Sequence, residues 1–95
     1  MTNPPENPVD HNPLNKRFEI KKDGYLAVLE YQLAGGKIIF THAGVPQVIG
    51  GQGLGSRLAA AGLDYARAQG LKVVPLCSFV AAYIQKHPET RDLAE

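Results

Sequence analysis

The sequence predicts an α+β fold in which an antiparallel three-strand meander is followed by a helix, a strand and a second helix on one mixed sheet. Three observations support this prediction. Residues 17–43 alternate between apolar and polar side chains in three runs separated by turn signals. Residues 52–69 then repeat apolar side chains at helical spacing. Residues 71–76 form a short apolar run without alternation.

The composition restricts the class of protein. A chain of 95 residues with 44% apolar and 20% charged residues is typical of one soluble globular domain. The net charge of +1 lacks the basic excess of a nucleic-acid-binding protein, and no apolar run approaches the roughly 18 residues of a membrane span. With Cys77 as the single cysteine, no intramolecular disulfide forms. We expect a cytoplasmic protein, monomeric or weakly dimeric, without nucleic-acid or membrane partners.

The first part of the chain is rich in proline. Pro4, Pro5, Pro8 and Pro13 interrupt strand pairing, and little apolar surface is available for burial. The same segment lacks the apolar stretch of a signal peptide. We expect residues 1–14 to form a disordered tail and residues 15–95 to form the folded domain.

The meander is built from short runs joined by tight turns. Asp23-Gly24 is a turn signal of the kind that joins antiparallel strands, and a glycine pair provides the second turn. The three runs lie at residues 17–21, 25–33 and 37–43.

The long helical segment carries a stripe of small residues, Gly55, Ala59, Gly62 and Ala66. Glycine inside a helix costs roughly 1 kcal/mol relative to alanine, so Gly62 indicates that the helix backbone approaches the sheet closely. Gly70 is a typical helix stop.

Two further elements follow that stop. The run 71–76 predicts a strand buried on both faces. Pro75 lies inside it, and because proline cannot donate a ladder hydrogen bond, strand pairing should end there. Ser78–Lys86 predicts the second helix, which His87-Pro88 terminates.

Four glycines, Gly50, Gly51, Gly53 and Gly55, lie between the third strand and the long helix. Glycine allows positive φ angles and lets backbone N–H groups approach a ligand. A helix N-terminus adds unpaired donors and the positive end of the helix dipole. This segment therefore predicts an anion site, with phosphate or pyrophosphate as the usual guest. The alternative is a flexible turn that only allows close packing of helix and sheet.

Three known loops fit the segment poorly. A P-loop requires a lysine after its final glycine, and none follows here. The dinucleotide fingerprint would place its third glycine at Ser56 and expects an acid after the next strand, where Leu76-Cys77-Ser78 stands. The spacing of residues 50–53 also fits the G-x-x-G loop of RNA-binding KH modules, but that loop joins two helices.

A fourth pattern fits better. Four segments carry it: 41–46 (Thr-His-Ala-Gly-Val-Pro), 51–55 (Gly-Gln-Gly-Leu-Gly), 72–79 (Lys-Val-Val-Pro-Leu-Cys-Ser-Phe) and 87–88 (His-Pro). Over about residues 16–90, the chain closely resembles the small YjdJ-type GNAT-like N-acetyltransferase family. In GNAT proteins the loop Gln/Arg-x-x-Gly-x-Gly/Ala binds the pyrophosphate of acetyl-coenzyme A, and residues 50–55 align with it.

The resemblance implies a minimal GNAT fold that keeps the acetyl-coenzyme A half and lacks most elements that shape an acceptor pocket. The strands on either side of the long helix then splay apart, with pantetheine in the gap. The implied cofactor is acetyl-coenzyme A, and no metal is implied. The implied cofactor-binding residues are Val45, Gly50, Gly51, Gln52, Gly53, Leu54, Gly55, Ser56, Arg57, Cys77, Phe79 and Tyr83.

Two positions depart from the family pattern. Gly50 replaces the usual Gln or Arg of the loop, so one side-chain contact to phosphate is missing. Gly44 stands where the family commonly has an acid. If that acid serves as a base or orients one, this protein lacks it.

Two residues are candidates for catalysis. His42, at the end of the third strand, has a pKa range suited to a base that deprotonates an amine acceptor. Its alternative role is that of a strand-end histidine bound to a neighbouring carbonyl. Cys77 lies at a helix N-terminus, and the resemblance places it next to the thioester, so transient acetylation is a second hypothesis. Its alternative role is that of a small buried hydrophobic residue.

Three functions are consistent with these residues. The first is an N-acetyltransferase-like protein that transfers an acetyl group from acetyl-coenzyme A to an unknown amine. The second is a non-catalytic acyl-coenzyme A-binding or sensing module, which the small size and Gly44 favour. The third is an RNA-binding domain built on residues 50–53.

Overall fold

In the computed structural model, which describes residues 7–95, five strands form one mixed sheet in the order β1-β2-β3-β4-β5. The pairs β1–β2, β2–β3 and β3–β4 are antiparallel, and β5 runs parallel to β4. The predicted antiparallel meander, β2 to β4, is therefore confirmed. The strands are β1 (Asp10–Asn12), β2 (Arg17–Lys22), β3 (Tyr25–Ala34), β4 (Lys37–Gly44) and β5 (Lys72–Pro75).

Two α-helices complete the predicted order. Helix α1, Leu54–Gln69, follows β4, and helix α2, Ser78–Lys86, follows β5. Short 3₁₀ turns lie at Gln47–Ile49 and Pro88–Leu93. Together with the mixed sheet, these helices confirm the α+β class. Neither helix of the described chain is long and apolar enough to cross a membrane.

Helix α1 approaches the sheet most closely at Gly62. A β-carbon placed there would lie 2.8 Å from the ring of Phe40 and 3.2 Å from the side chain of Leu29. Both of those side chains are fully buried in the core. The missing side chain at Gly62 therefore allows the close packing of helix and sheet that the small-residue stripe predicts.

The N-terminal segment is ordered further than expected. Residues 10–12 form β1, which pairs with β2, so the prediction of a disordered tail through residue 14 is wrong for this part. The reason is His11, whose ring stacks on Phe18 at 4.3 Å and meets the edge of Tyr65 at 4.5 Å. Its Nε2 also lies 2.6 Å from the hydroxyl of Tyr31. Residues 1–6 of the predicted tail lie outside the described residues.

This burial makes the stability of β1 pH-dependent. Desolvation among the rings lowers the pKa of His11 below its usual value. As the pH falls, the unfolded chain takes up a proton on His11 near pH 6.5, whereas the folded chain takes it up only at lower pH. The contribution of His11 to the free energy of unfolding is therefore fully present above about pH 6.5 and declines below it.

We expect the free energy of unfolding of the wild type to fall more steeply between pH 7.5 and 5.5 than that of His11→Gln. The substituted side chain keeps polar character but does not titrate in this range. Urea unfolding at both pH values measures the difference. Parallel pH dependences in the two proteins would show that His11 is not buried in its neutral form.

The parallel pair β4–β5 ends where proline enters. Phe40 opposite Pro75 is its last pair, after which the N–H of Cys77 donates to the carbonyl of Phe40 at 2.9 Å. Strand β4 continues to Gly44 without β5 beside it. The predicted end of pairing at Pro75 is confirmed, because β5 stops there while β4 continues.

The prediction that residues 71–76 are buried on both faces is wrong. Strand β5 is the edge of the sheet, and of its four residues only Val73 is fully buried. Leu76, just beyond the strand, is 69% exposed. A strand at the edge of a sheet can be buried on one face alone. In β5, Val73 is the side chain on the buried face.

Candidate functional site

The candidate site lies between the free end of β4 and the start of α1. The chain leaves β4, makes the 3₁₀ turn anchored by buried Ile49, and then enters the glycine segment. Gly51 and Gly53 adopt left-handed conformations with φ angles of 75° and 74°. No atom lies within 4 Å of a β-carbon placed on either residue. These two glycines are therefore required by the backbone, and they border open space.

A depression of about 260 Å³ occupies this space. Four of its eight lining residues are glycines, and among the residues described its one aromatic ring comes from α2. Among the residues described, it is lined by Val45, Gly50, Gly51, Gly53, Leu54, Gly55, Ser56 and Phe79. All eight belong to the cofactor-binding set that the sequence implies, so the structure brings most of that set together.

The first turn of α1 gives this depression its electrostatic character. The first N–H groups of a helix have no intrahelical acceptor, and Gly53 provides no side-chain cap for them. Three residues of that turn, Leu54, Gly55 and Ser56, line the depression. Free amide donors and the positive end of the helix dipole favour a negatively charged group there.

Gly50 contributes differently from the other glycines. Its N–H donates to the carbonyl of Gln47 at 3.0 Å, closing the 3₁₀ turn. Its backbone is extended, with φ −71°, and a β-carbon would lie 3.2 Å from the same carbonyl oxygen. Gly50 therefore ends the 3₁₀ turn before the glycine segment, and its N–H is used in the hydrogen bond to Gln47 instead of being available to a ligand.

Four residues of the implied set do not line the depression: Gln52, Arg57, Cys77 and Tyr83. Gln52 is exposed on the turn. Arg57 faces the N-terminal segment, where its Nη2 donates to the carbonyl of Asn7 at 2.8 Å. The structure thus directs the guanidinium of Arg57 to residue 7.

A second cavity, of about 210 Å³, lies between α1 and α2 and adjoins the first. The two share Ser56 and Phe79, and the second is also lined by Ala82, Tyr83, Lys86 and His87. The close approach of α2 depends on Gly55, where a β-carbon would lie 2.7 Å from the ring of Phe79. Tyr83, predicted from the sequence, is therefore next to the glycine segment but in the adjoining cavity.

The ring of Tyr83 is held by a short-range interaction within the end of α2. It stacks on His87 at 3.8 Å with an interplanar angle of 16°, and Nδ1 of His87 donates to the carbonyl of Tyr83 at 2.8 Å. Burial, with smaller contributions from Glu89 and Asp64, raises the pKa of Tyr83 above its usual value. The phenol consequently stays protonated at neutral pH.

The two predicted catalytic residues lie in contrasting environments. Cys77 is 9% exposed and belongs to the hydrophobic core. This matches its alternative role from the sequence, that of a small buried hydrophobic residue. His42 is exposed on the free part of β4, opposite Glu30 on β3. Its Nε2 would lie 3.1 Å from a β-carbon at Gly44. A carboxylate at position 44 would therefore lie beside the imidazole, and this chain has none there.

Sequence reasoning missed that His87 lines the cavity between α1 and α2. His87 was interpreted as a helix terminator and as part of the family pattern, yet it also lies four residues after Tyr83. Side chains at that spacing meet on one helix face, so the pair was detectable as an aromatic contact. Helical spacing predicts that Lys86 shares one side of α2 with Phe79 and Tyr83, and all three line this cavity.

Comparison with known proteins defines the class. The family described as GCN5-related N-acetyltransferase matches residues 17–93, so the chain belongs to that family. This confirms the predicted GNAT membership, while the narrower YjdJ-type grouping stays a prediction. The RNA-binding hypothesis loses its basis, because the glycine segment joins a strand and a 3₁₀ turn to a helix instead of joining two helices.

Individual relatives are similar over most of their length. Protein NATD1 of mouse is 30% identical over 83 residues, which cover 84% of this chain and 76% of the mouse protein. Human protein NATD1 is also 30% identical over 83 residues, covering 84% and 74%. A GCN5-like protein from Staphylococcus aureus, solved by NMR, superposes with a TM-score of 0.76 at 28% identity, covering 95% of this chain and 89% of that one.

Proposed function

We propose that this protein binds acetyl-coenzyme A and transfers its acetyl group to an amine. The observation that carries the proposal is the amide-lined depression at the start of α1, next to the point where β4 and β5 part. Its open backbone at Gly51 and Gly53 leaves room for a phosphate group, and its donors suit a pyrophosphate. Membership of the GCN5-related family supports the same ligand.

The unpaired end of β4 supports a position for the rest of the ligand. Beyond Phe40 the strand has no β5 partner, so its outer edge is free to receive an extended, amide-containing chain. Val45 and Phe79, which are 36% and 42% exposed, provide apolar surface where this edge meets the depression. A phosphate group in the depression and a pantetheine arm along β4 fit that surface.

We assign the base to His42. When bound, acetyl-coenzyme A would supply a thioester carbon to an amine nitrogen. As the C–N bond forms, the C–S bond would break, and coenzyme A would leave as its thiol, which takes up the proton that the amine loses. The amine must lose a proton, and a neutral imidazole on exposed β4 is suited to accept it. Cys77 receives a packing role in this assignment, because acetylation of its thiol would require the core to open.

A second function is favoured by one observation. Without a side chain at Gly44, Nε2 of His42 has no carboxylate beside it at that position. A base with no group to orient it is a poor catalyst, and binding alone needs no base. A non-catalytic acyl-coenzyme A-binding module is therefore the alternative.

Binding and turnover separate the two functions. We expect calorimetry to show one acetyl-coenzyme A per chain for the wild type, His42→Gln and Cys77→Ala. With mixed amine acceptors, release of the coenzyme A thiol should persist in Cys77→Ala and fall about 100-fold or more in His42→Gln. Intact-mass spectrometry should find no acetylated protein.

Three other outcomes would contradict the proposal in different ways. No binding by the wild type would refute the whole proposal. Binding without thiol release from any primary amine, peptide N-terminus or lysine side chain would support the binding module. Turnover that needs Cys77 would overturn the assignment of His42 and Cys77.

A further inference from the structure

We propose that Glu30 binds the acceptor and selects amines that carry a second positive charge. The inference rests on the proposed function and deepens it, because it names the class of amine that reaches His42. Glu30 lies on β3 and is not among the described residues that line either cavity beside α1 and α2. It therefore belongs to a part of the surface that the cofactor-binding set does not include.

Glu30 and His42 lie next to each other on one face of the sheet. The pairing of β3 with β4 places them opposite each other, and Thr41 is the extra residue of a bulge beside this pair. Leu29 and Tyr31 are buried in the core, so the alternation along β3 places Glu30 on the opposite face. Side chains directly opposite on neighbouring strands have β-carbons about 5 Å apart, so one small molecule can contact both.

The missing side chain at Gly44 opens an approach to the imidazole. A β-carbon there would lie 3.1 Å from Nε2 of His42 and 3.7 Å from Cγ2 of Val28. Nε2 therefore points along β4 toward Gly44, on the face that Val28 shares. Val28 pairs with Gly44 and precedes Glu30 by two residues on β3. An amine that enters over Gly44 consequently meets Nε2, with an apolar side chain and a carboxylate on the neighbouring strand.

The carboxylate of Glu30 is available to a cation from outside the chain. Arg17 lies opposite Glu30 on β2, yet its Nε donates to Glu19. The ion pairs within residues 7–95 do not include Glu30. Because its side chain is only half-buried, an ammonium group can reach the carboxylate and donate a charge-assisted hydrogen bond.

The two groups favour different protonation states of an amine. The nitrogen that attacks the thioester must be neutral, and it gives its proton to His42. A carboxylate stabilises the charged form of a nearby amine, so Glu30 is unsuited to the attacking nitrogen itself. The matching acceptor therefore has two amino groups a few methylene groups apart. One becomes the amide nitrogen as the C–S bond breaks, and the other stays protonated at Glu30.

The test compares three acceptors that share a four-carbon chain: butylamine, butane-1,4-diamine and 4-aminobutanoate. Release of the coenzyme A thiol gives kcat/KM for each. We expect the wild type to use the diamine about tenfold better than butylamine, as one charge-assisted contact predicts, and 4-aminobutanoate least well. Mass spectrometry should find the diamine acetylated at one end, since acetylation leaves no second ammonium group for Glu30.

Two substitutions of glutamate by glutamine assign this preference. Glu30→Gln keeps the size of the side chain, removes its charge, and should bring the rates with diamine and butylamine close to each other. Glu89→Gln removes an exposed carboxylate from the 3₁₀ turn Pro88–Leu93 and should keep the wild-type preference. The ratio of the two rates is measured within one protein, so it does not depend on the folded fraction of each variant.

The inference and the proposed function fail in different ways. Equal use of diamine and butylamine by the wild type, or a preference that survives in Glu30→Gln, would overturn the role of Glu30. Equal losses for both acceptors in Glu30→Gln would also overturn it, because the carboxylate would then act on His42. Binding of acetyl-coenzyme A without thiol release from any of the three acceptors would support the binding module and remove the inference with it. If acetyl-coenzyme A does not bind at all, the proposed function itself is wrong.

Discussion

Replacing Gly62 with valine is expected to lower the free energy of unfolding by about 3 kcal/mol, at the upper end of the usual cost of overpacking a core. The first added carbon would lie 2.8 Å from the ring of Phe40, well inside contact distance, and 3.2 Å from Leu29. Neither neighbour can swing into solvent, since both are fully buried. For a domain of this size the melting temperature should fall by more than about 10 °C.

A matched substitution isolates the packing effect. Ala68→Val places the same side chain at an exposed position of α1 and should cost less than about 1 kcal/mol through helix propensity alone. Valine is a better helix former than glycine, so propensity acts against the expected loss at Gly62. Combining Gly62→Val with Phe40→Leu should recover part of the stability, because the clashing ring is gone. Urea unfolding measures all four proteins, and a stable Gly62→Val would contradict the close approach of α1 to the sheet.

Local sequence patterns predicted those strands and helices whose structure is determined by residues close to them in the sequence. The meander follows from alternation and tight turns, and α1 ends at Gly70 because a left-handed residue is needed there. Strand β1 was not predictable in this way. It is held by His11 against Phe18, Tyr31 and Tyr65, and the last two are 20 and 54 residues away.

The position of β5 shows a second limit. A four-residue apolar strand has the same appearance in sequence whether it lies in the middle of a sheet or at its edge. The difference depends on whether another strand pairs with its outer edge. In the described chain, the outer edge of β5 has one isolated bridge, from Val73 to Ala94. The effect of Pro75 on pairing was predictable, because it follows from the missing N–H of one residue.

Some features of the candidate site could also be predicted from local sequence, and others depend on tertiary packing. The requirement for glycine at positions 51 and 53 is a property of the local backbone, so the sequence predicted it. The direction of the Arg57 side chain depends on which face of α1 meets a partner, and that of Cys77, just before α2, on how the start of α2 packs against the core. Arg57 is drawn to the carbonyl of Asn7, in a segment predicted to be disordered, and Cys77 is drawn into the core. Spacing alone cannot distinguish these directions from one that faces the depression.

Replacing Gly55 with alanine is expected to weaken binding of acetyl-coenzyme A at least about tenfold while changing stability little. The new methyl group would lie 2.7 Å from the ring of Phe79, so that ring must move. It is 42% exposed and can rotate, unlike the buried ring beside Gly62. Because it lines both cavities, its displacement should narrow the surface on which the ligand lies.

A double substitution tests whether the ring is the cause. Phe79→Ala alone removes one wall and should weaken binding modestly. Gly55→Ala combined with Phe79→Ala should bind as Phe79→Ala does, since no ring remains to be displaced, and the two effects should therefore not add. Calorimetry gives the affinities, and urea unfolding of each variant shows that the fold is retained. If the losses at Gly55 and Phe79 add, the methyl group acts directly on the phosphate-binding amides of α1, and the role of Phe79 in closing the site is refuted.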